Sequence, residues 1–227
     1  MPTINSFIRF LHVSPGAPAV DVYADENLVF QNVAYNEISE YLVVGPEDIH
    51  IEVFPAGEKS NPLIDTNVSI PPSERITIAM IGAPTDLSLL PIFLPGEPIT
   101  TDDGRIRFAH LSPGAPDMSL AVENGPQFDD VAYTQVTDFE TIAPGTYNLK
   151  LRWAGEDEVL LKETLRVQER TAYTVYAAGL LDGEPPLEIS FYQDQIPYIG
   201  NAVKETKFRK EVIRGKAPQI KFVYSPK

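Results

Sequence analysis

The chain has 227 residues, no cysteine and a formal net charge of −14. That length suffices for two ordinary small domains, each with its own core; the missing thiols exclude disulfide frameworks and thiolate metal sites, and the charge opposes nucleic acid or an anionic membrane as a partner. Twenty-one prolines, ten tyrosines and eleven phenylalanines favour short strands joined by turns over long helices, an all-β composition.

Met1 to Phe10 carries no basic segment followed by an apolar run, and no stretch approaches the roughly 20 apolar residues of a membrane span. The chain as written is therefore expected to be soluble and without a secretory leader. From Ile8 to Val13 the residues alternate as in a strand, Ile8, Phe10 and His12 on one face and Arg9, Leu11 and Val13 on the other. Ser14-Pro15-Gly16-Ala17-Pro18 ends that strand in a rigid corner, because proline lacks an amide donor and Gly16 accepts the positive φ of a tight turn.

Val20 to Ala24 and Leu28 to Tyr35 read as the next strands, separated by the polar turn Asp25-Glu26-Asn27, and Glu37 to Val44 is expected to be extended. Ile49, Ile51 and Val53 alternate with His50, Glu52 and Phe54 as a half-buried strand. Leu63 to Ile70, Ile76 to Ile81 and Leu87 to Phe93 bring the unit to about eight short strands, which suggests an antiparallel immunoglobulin-like sandwich. Pro95 to Gly104 has the composition of a linker.

The unit is then repeated. Ile106-Arg107-Phe108-Ala109-His110-Leu111-Ser112-Pro113-Gly114-Ala115-Pro116 restates the opening strand and corner 98 positions later, and the register holds through Val33-Ala34-Tyr35 and Val131-Ala132-Tyr133. It slips to 97 by Ile76 and Tyr173, which one residue lost in the preceding hairpin explains. The expected organisation is a sandwich over 1–94, a linker over 95–104, a second sandwich over 105–195 and a basic extension over 196–227. That extension carries +6, and the other 195 residues carry −20. Within it, 201–214 has loosely helical spacing and Gln219 to Tyr224 reads as a strand, suited to pair with an exposed sheet edge in the same or another copy.

The doubled Arg-Phe-x-His-x-Ser-Pro-Gly-Ala-Pro motif, with Ala19-Val20-Asp21-Val22-Tyr23 after its first copy and Pro144-Gly145-Thr146-Tyr147 in the second repeat, resembles the bacterial domain-of-unknown-function family 4397 (DUF4397). The resemblance covers roughly residues 7 to 193. It implies tandem β-sandwich modules of exported or surface-associated proteins, with no established activity or ligand. Ser119-Leu120-Ala121 replaces Asp21-Val22-Tyr23 in the second repeat, so any role of Asp21 is not duplicated.

His12 and His110 each precede a serine by two residues, which puts His12 with Ser14 and His110 with Ser112 on one strand face. A nucleophilic pair also needs an orienting acid and an oxyanion hole, and no such signature accompanies them. The expected role of His12, Ser14, Pro15 and Gly16, and of His110, Ser112, Pro113 and Gly114, is structural, each imidazole holding its corner through backbone hydrogen bonds. The carboxylates at Asp102-Asp103, Asp129-Asp130 and Glu156-Asp157-Glu158 lack the spacing of a calcium loop, and neither a metal nor a cofactor is expected.

The expectation is a non-enzymatic structural or binding module of the bacterial cell surface or envelope, with a protein or polysaccharide partner. The absence of a leader leaves a cytoplasmic location open. One alternative is a carbohydrate-binding module using Phe54, Trp153, Tyr192 and Tyr198 as a stacking platform. Another is a subunit that self-assembles into a homo-oligomer through its C-terminal strand.

Overall fold

A computed structural model of the protein describes residues 5–197 and, beyond them, the backbone of two strands, Arg209–Val212 and Ile220–Val223. The first repeat contains β1 (Ser6–His12), β2 (Val20–Ala24), β3 (Asn27–Val33), β4 (Leu42–Val44), β5 (Asp48–Pro55), β6 (Ile64–Ser69), β7 (Arg75–Ile81) and β8 (Ser88–Leu94). The second contains β9 (Gly104–His110), β10 (Met118–Val122), β11 (Gln127–Val131), β12 (Glu140–Ile142), β13 (Gly145–Trp153), β14 (Val159–Val167), β15 (Thr171–Ala178) and β16 (Glu188–Gln195).

Each repeat is a sandwich of two four-stranded sheets. The orders are β4-β1-β7-β8 and β3-β2-β5-β6 in the first, β12-β9-β15-β16 and β11-β10-β13-β14 in the second. Pairing is antiparallel except between β1 and β7, where Ile8 lies opposite Ile76, and between β9 and β15, where Phe108 lies opposite Val175. The Asp25-Glu26 turn has positive φ at both residues, 46° and 67°, the geometry that matches the twist of a two-residue hairpin. Between β5 and β6 Val53 faces Ile64, whereas between β13 and β14 Leu151 faces Leu161; the missing residue that shifts the repeat register therefore belongs to this hairpin.

The expected strand over Glu37 to Val44 is shorter, beginning only at Leu42. A tight turn intervenes: Asn36 has φ of 63°, the Glu37 carboxylate accepts the Ala34 N–H, and Ile38 makes a single bridge to Leu11. In the C-terminal extension, Arg209–Val212 is a strand (β17) where the spacing suggested helix. Four apolar residues spread over 201–214 fit either period. β17 pairs antiparallel with Ile220–Val223 (β18), so the strand expected at Gln219 to Tyr224 finds its partner within the extension. The docking expectation otherwise lies outside the described residues.

Ile8, Phe10, Val20, Val22, Ile51 and Val53 are among the residues that fill the first sandwich. Ile106, Phe108, Leu120, Leu149, Leu151 and Tyr173 are among those that fill the second. A third core lies between the repeats, where Leu11, Val13, Ala79, Ile81 and Ile92 meet Ala109, Leu111, Tyr176, Ala178 and Tyr192. The alternate face of β1 and the residue after it supply Leu11 and Val13, and the alternate face of β9 and the residue after it supply Ala109 and Leu111. These two sheets thus bury apolar residues on both sides, and the four sheets form one pile.

Equivalent residues reach across this junction in both directions: Arg9 to Asp194 and Arg107 to the Phe93 carbonyl, Tyr35 towards Glu188 and Tyr133 towards Asp86. Near one end Asn36 meets Ser190 and Tyr176, and at the other Arg75 meets the carbonyl of Gln195. The repeats are therefore related by an approximate twofold axis along the strands, and the corners after β1 and β9 share one end of the molecule. Ile99, in the segment between the repeats, is buried with Leu94, Ala172 and Ile196 at the opposite end.

Candidate functional site

The corner after β1 is held from inside. His12 is fully buried; its Nε2–H donates to the Pro18 carbonyl at 3.0 Å, and its Nδ1 accepts the Ser14 N–H at 3.3 Å. Those two partners fix the tautomer, since a carbonyl can only accept and a backbone amide can only donate. His110 makes the same pair of bonds to Pro116 and Ser112, at 3.0 and 3.3 Å. Burial pushes both imidazoles below their ordinary pKa, more than their backbone hydrogen bonds raise it.

The serine hydroxyls point away from the imidazoles. Ser14 Oγ donates to the Gly82 carbonyl, and Ser112 Oγ donates to Gly179 at 2.7 Å. Gly82 and Gly179 need to be glycine: φ is 96° and 86°, and a Cβ would run into the carbonyl oxygens of Asp86 and Pro186. With the imidazole and the hydroxyl of each pair both committed to backbone, neither pair is arranged as base and nucleophile.

The tyrosine that follows each Val-Ala completes the corner and reaches across the junction. Tyr35 packs edge-on against His12 at 6.1 Å between centroids, and Tyr133 against His110 at 5.9 Å. Burial and the nearby Glu188 carboxylate, from the other repeat, push the Tyr35 hydroxyl well above its usual pKa. Burial and Asp86, again from the other repeat, raise Tyr133. Asp21 is committed locally, accepting the N–H groups of Asn32 and Gly57 at 2.7 and 2.8 Å. In the second repeat Ser119 Oγ takes the N–H of Asp130, the counterpart of Asn32, at 3.1 Å.

At the centre of the junction the Arg9 guanidinium lies between the rings of Tyr41 and Tyr192, at 4.4 and 4.5 Å from their centroids. Its Nε donates to Thr77 Oγ1 at 2.9 Å. Arg107, its counterpart, donates from Nε to Thr174 Oγ1 at 2.9 Å and from Nη1 to the Phe93 carbonyl at 2.9 Å, with Phe139 in place of Tyr41. Desolvation is the main influence on Arg107 and lowers its pKa.

The loop end offers the open surface. Pro116, Asp117, Trp153, Ala154, Glu156, Leu181 and Asp182 surround an open depression of about 800 Å³. The half-buried Trp153 rests its other side on the second core, and Leu181 is 47% exposed. In the first repeat Pro55 stands where Trp153 does, by the 98-residue register.

Of the aromatics expected to form a stacking platform, Trp153 alone among the described residues is placed for it. Phe54 is buried against Tyr23, with centroids 5.5 Å apart. Tyr192 is buried in the junction, and Tyr198 lies outside the described residues. Alternation along a strand does not reveal which outward faces are covered, which is why Tyr192 reads as exposed in the sequence. Among the described residues no group of three or more His, Asp or Glu side chains is placed to hold a metal, and no helix is long and apolar enough to cross a membrane.

One family model matches the chain. The family described as "Domain of unknown function (DUF4397)" matches residues 6–121 and 104–202. A search of curated proteins finds no match. Among solved structures the chain is similar to one described as alpha-glucan binding by a streptococcal virulence factor, at 13% identity over 82% of this chain and 96% of that one, with a TM-score of 0.26. It is also similar to the CBM26-family CBMbc of Amy13K from Eubacterium rectale in complex with maltoheptaose (10% identity, 83% and 96% coverage, TM-score 0.25). A third likeness is to a candidate cell adhesion protein from Bacteroides ovatus (11% identity, 87% and 98% coverage, TM-score 0.25).

Proposed function

From the premise that this chain belongs to the DUF4397 family, matched twice along its length, we propose that it is a non-enzymatic binding module of the bacterial cell surface or envelope. Its recognition surface is the loop end, and a polysaccharide is the partner class that the second repeat suits. The single observation behind this reading is the depression around Trp153. An indole face flanked by Pro116 and Leu181 offers stacking area to a sugar ring, and Asp117, Glu156 and Asp182 offer acceptors to its hydroxyls.

The corners serve this by being stiff. Each is closed by a proline, a positive-φ glycine and a buried histidine that satisfies two backbone groups, so the loops are ordered before a ligand arrives. We propose that His12, Ser14, Pro15 and Gly16, with His110, Ser112, Pro113 and Gly114, act as locks for this surface and take no part in chemistry. The surface location is what the family resemblance implies.

Trp153 is the only tryptophan in the chain, so tryptophan fluorescence, excited selectively over the tyrosines, reports on this site alone. Titration with neutral oligosaccharides is expected to shift or quench that emission, and Trp153→Ala is expected to lose retention on the matching polysaccharide column. A panel of neutral glycans that leaves both the emission and the retention unchanged would overturn the polysaccharide reading.

A further inference from the structure

The outward faces of the two outer sheets carry opposite charge at equivalent positions. Ile51 and Val53 of β5 point into the first core, so Glu52 between them points outward. Leu149 and Leu151 of β13 point into the second core, so Lys150 points outward. Glu52 and Lys150 are equivalent in the 98-residue register. Across the neighbouring strand the inversion repeats, with Glu52 opposite Asp65 and Lys150 opposite Lys162.

Neither like-charged pair helps the chain that carries it. Like charges directly opposite one another destabilise an antiparallel pair, and here the fold places one such pair in each outer sheet. His50 holds Asp65 at 2.7 Å and Glu123 holds Lys150 at 3.0 Å, both through solvent-exposed contacts. Glu52 and Lys162 have no ion pair among the described residues. The second face is also basic around its lysines: of the ten basic residues outside the C-terminal extension, Lys150, Arg152, Lys162 and Arg166 lie on β13 and β14. Shape follows the same inversion. Tyr23 stands beside Glu52 on the first face, and its counterpart beside Lys150 is the small Ala121.

We propose that the chain assembles end to end, the outward face of β2, β5 and β6 in one copy seating on the outward face of β10, β13 and β14 in the next. Glu52 and Asp65 meet Lys150 and Lys162, and Tyr23 fills the space over Ala121. Because the two faces differ and lie on opposite sides of the molecule, the contact is heterologous and each added copy leaves a free face at either end. The pile of four sheets within one chain continues from chain to chain. The binding surface at the loop end stays open along the side of the assembly, so this inference is independent of what that surface recognises.

Sedimentation velocity of the full chain over a range of concentrations tests it. At low salt the protein is expected to form dimers and longer species, and these are expected to dissociate near 1 M salt, where the screening length is about 3 Å. Lys150→Glu with Lys162→Glu, and separately Glu52→Lys with Asp65→Lys, are each expected to weaken association at least about tenfold. An equimolar mixture of the two variants is expected to regain it, since one then has two acidic faces and the other two basic ones. Lys162→Glu and Glu52→Lys alone, at the two unpaired charges, carry the test if a double variant does not fold.

A wild-type chain that stays monomeric at low salt overturns the proposal, and so do folded variants that fail to combine. Reversal variants that associate as the wild type does also overturn it and assign the contact to another surface, such as the basic extension. If the wild type remains monomeric while heparin, used as a polyanion probe, binds it and not the Lys150→Glu, Lys162→Glu variant, the basic face takes a polyanion instead.

Discussion

Arg9 and Asp194, 185 positions apart in sequence, close a buried ion pair at 2.7 Å, with side-chain exposures of 7% and 6%. The Asp194 carboxylate also accepts from the Tyr41 hydroxyl at 3.0 Å. Both oxygens are thus satisfied between two strands of different repeats.

Breaking this pair from one side is expected to be costly. Asp194→Leu leaves the Arg9 charge buried without its carboxylate and should lower stability by about 3–5 kcal/mol. Leu94 pairs with Arg75 as Asp194 pairs with Ala172, the counterpart of Arg75, so leucine already stands at the equivalent position of the first repeat. Arg9→Met combined with Asp194→Leu is expected to recover most of the loss, because an apolar replacement of both partners removes the unpaired charge. Urea denaturation of the two single variants and the double variant measures the coupling.

The junction behaves as core if Leu11→Ala and Leu111→Ala each cost about 2–5 kcal/mol, the range for buried leucines. Leu120→Ala, inside the second sandwich, is the comparison. Calorimetry should show one unfolding transition for both repeats. Two separate transitions, with a loss under about 1 kcal/mol for the junction variants, would mean that the repeats fold apart and touch lightly.

Gly82→Ala and Gly179→Ala test the corner from its far side. The positive φ alone should cost about 1–3 kcal/mol, and the added Cβ meets a backbone carbonyl that cannot swing away. Gly57→Ala is the control, since its φ is also positive at 81° but nothing lies within 4 Å of the new Cβ. Chemical denaturation should rank the first two well below the third.

Acid should weaken the fold before most carboxylates titrate. His12 and His110 are held neutral below their ordinary value of 6.5, so below that pH the unfolded chain takes up protons that the folded chain refuses. Their contribution is complete above about pH 6.5 and falls as the pH drops, by up to about 1.4 kcal/mol per pH unit for each histidine. Glu37 near His12 and Asp117 near His110 oppose the shift without reversing it. The exposed His50, raised by Asp65, acts in the other direction: its contribution is present at low pH and lost as the pH rises. Denaturation curves between pH 7 and pH 5 for the wild type and for a His12→Gln, His110→Gln variant should show the slope in the first and its loss in the second.

Much of the sandwich was legible because its signals are local. Ile49, Ile51 and Val53 alternate cleanly, the Pro-Gly corners punctuate, and a motif repeated at 98 residues shows two copies of one unit. The junction left a fainter trace. Ile8-Arg9-Phe10-Leu11-His12-Val13 carries apolar residues on both faces, and the same holds for Thr171–Ala178, which is buried at every position. A strand of that kind is covered twice, but the pattern does not say by what. Tyr192 misled for the same reason, since it alternates correctly for an outward residue and then meets the other repeat, whereas Phe54 is covered within its own sheet by Tyr23. The depression at Trp153 draws on three loops distant in sequence, so no spacing along the chain announces it.

The approximate twofold relation has one more consequence. Two identical single-repeat chains meeting through this junction would apply every substitution twice: an aspartate at the position of Asp194 would appear opposite both arginines, and both outer faces would bear the same charge. Covalent linkage of the copies lifts that constraint. Each can change without its twin, which is how one arginine keeps a carboxylate while the other keeps a carbonyl, and how a single molecule comes to be polar from one face to the other. Duplication here supplies direction as well as size.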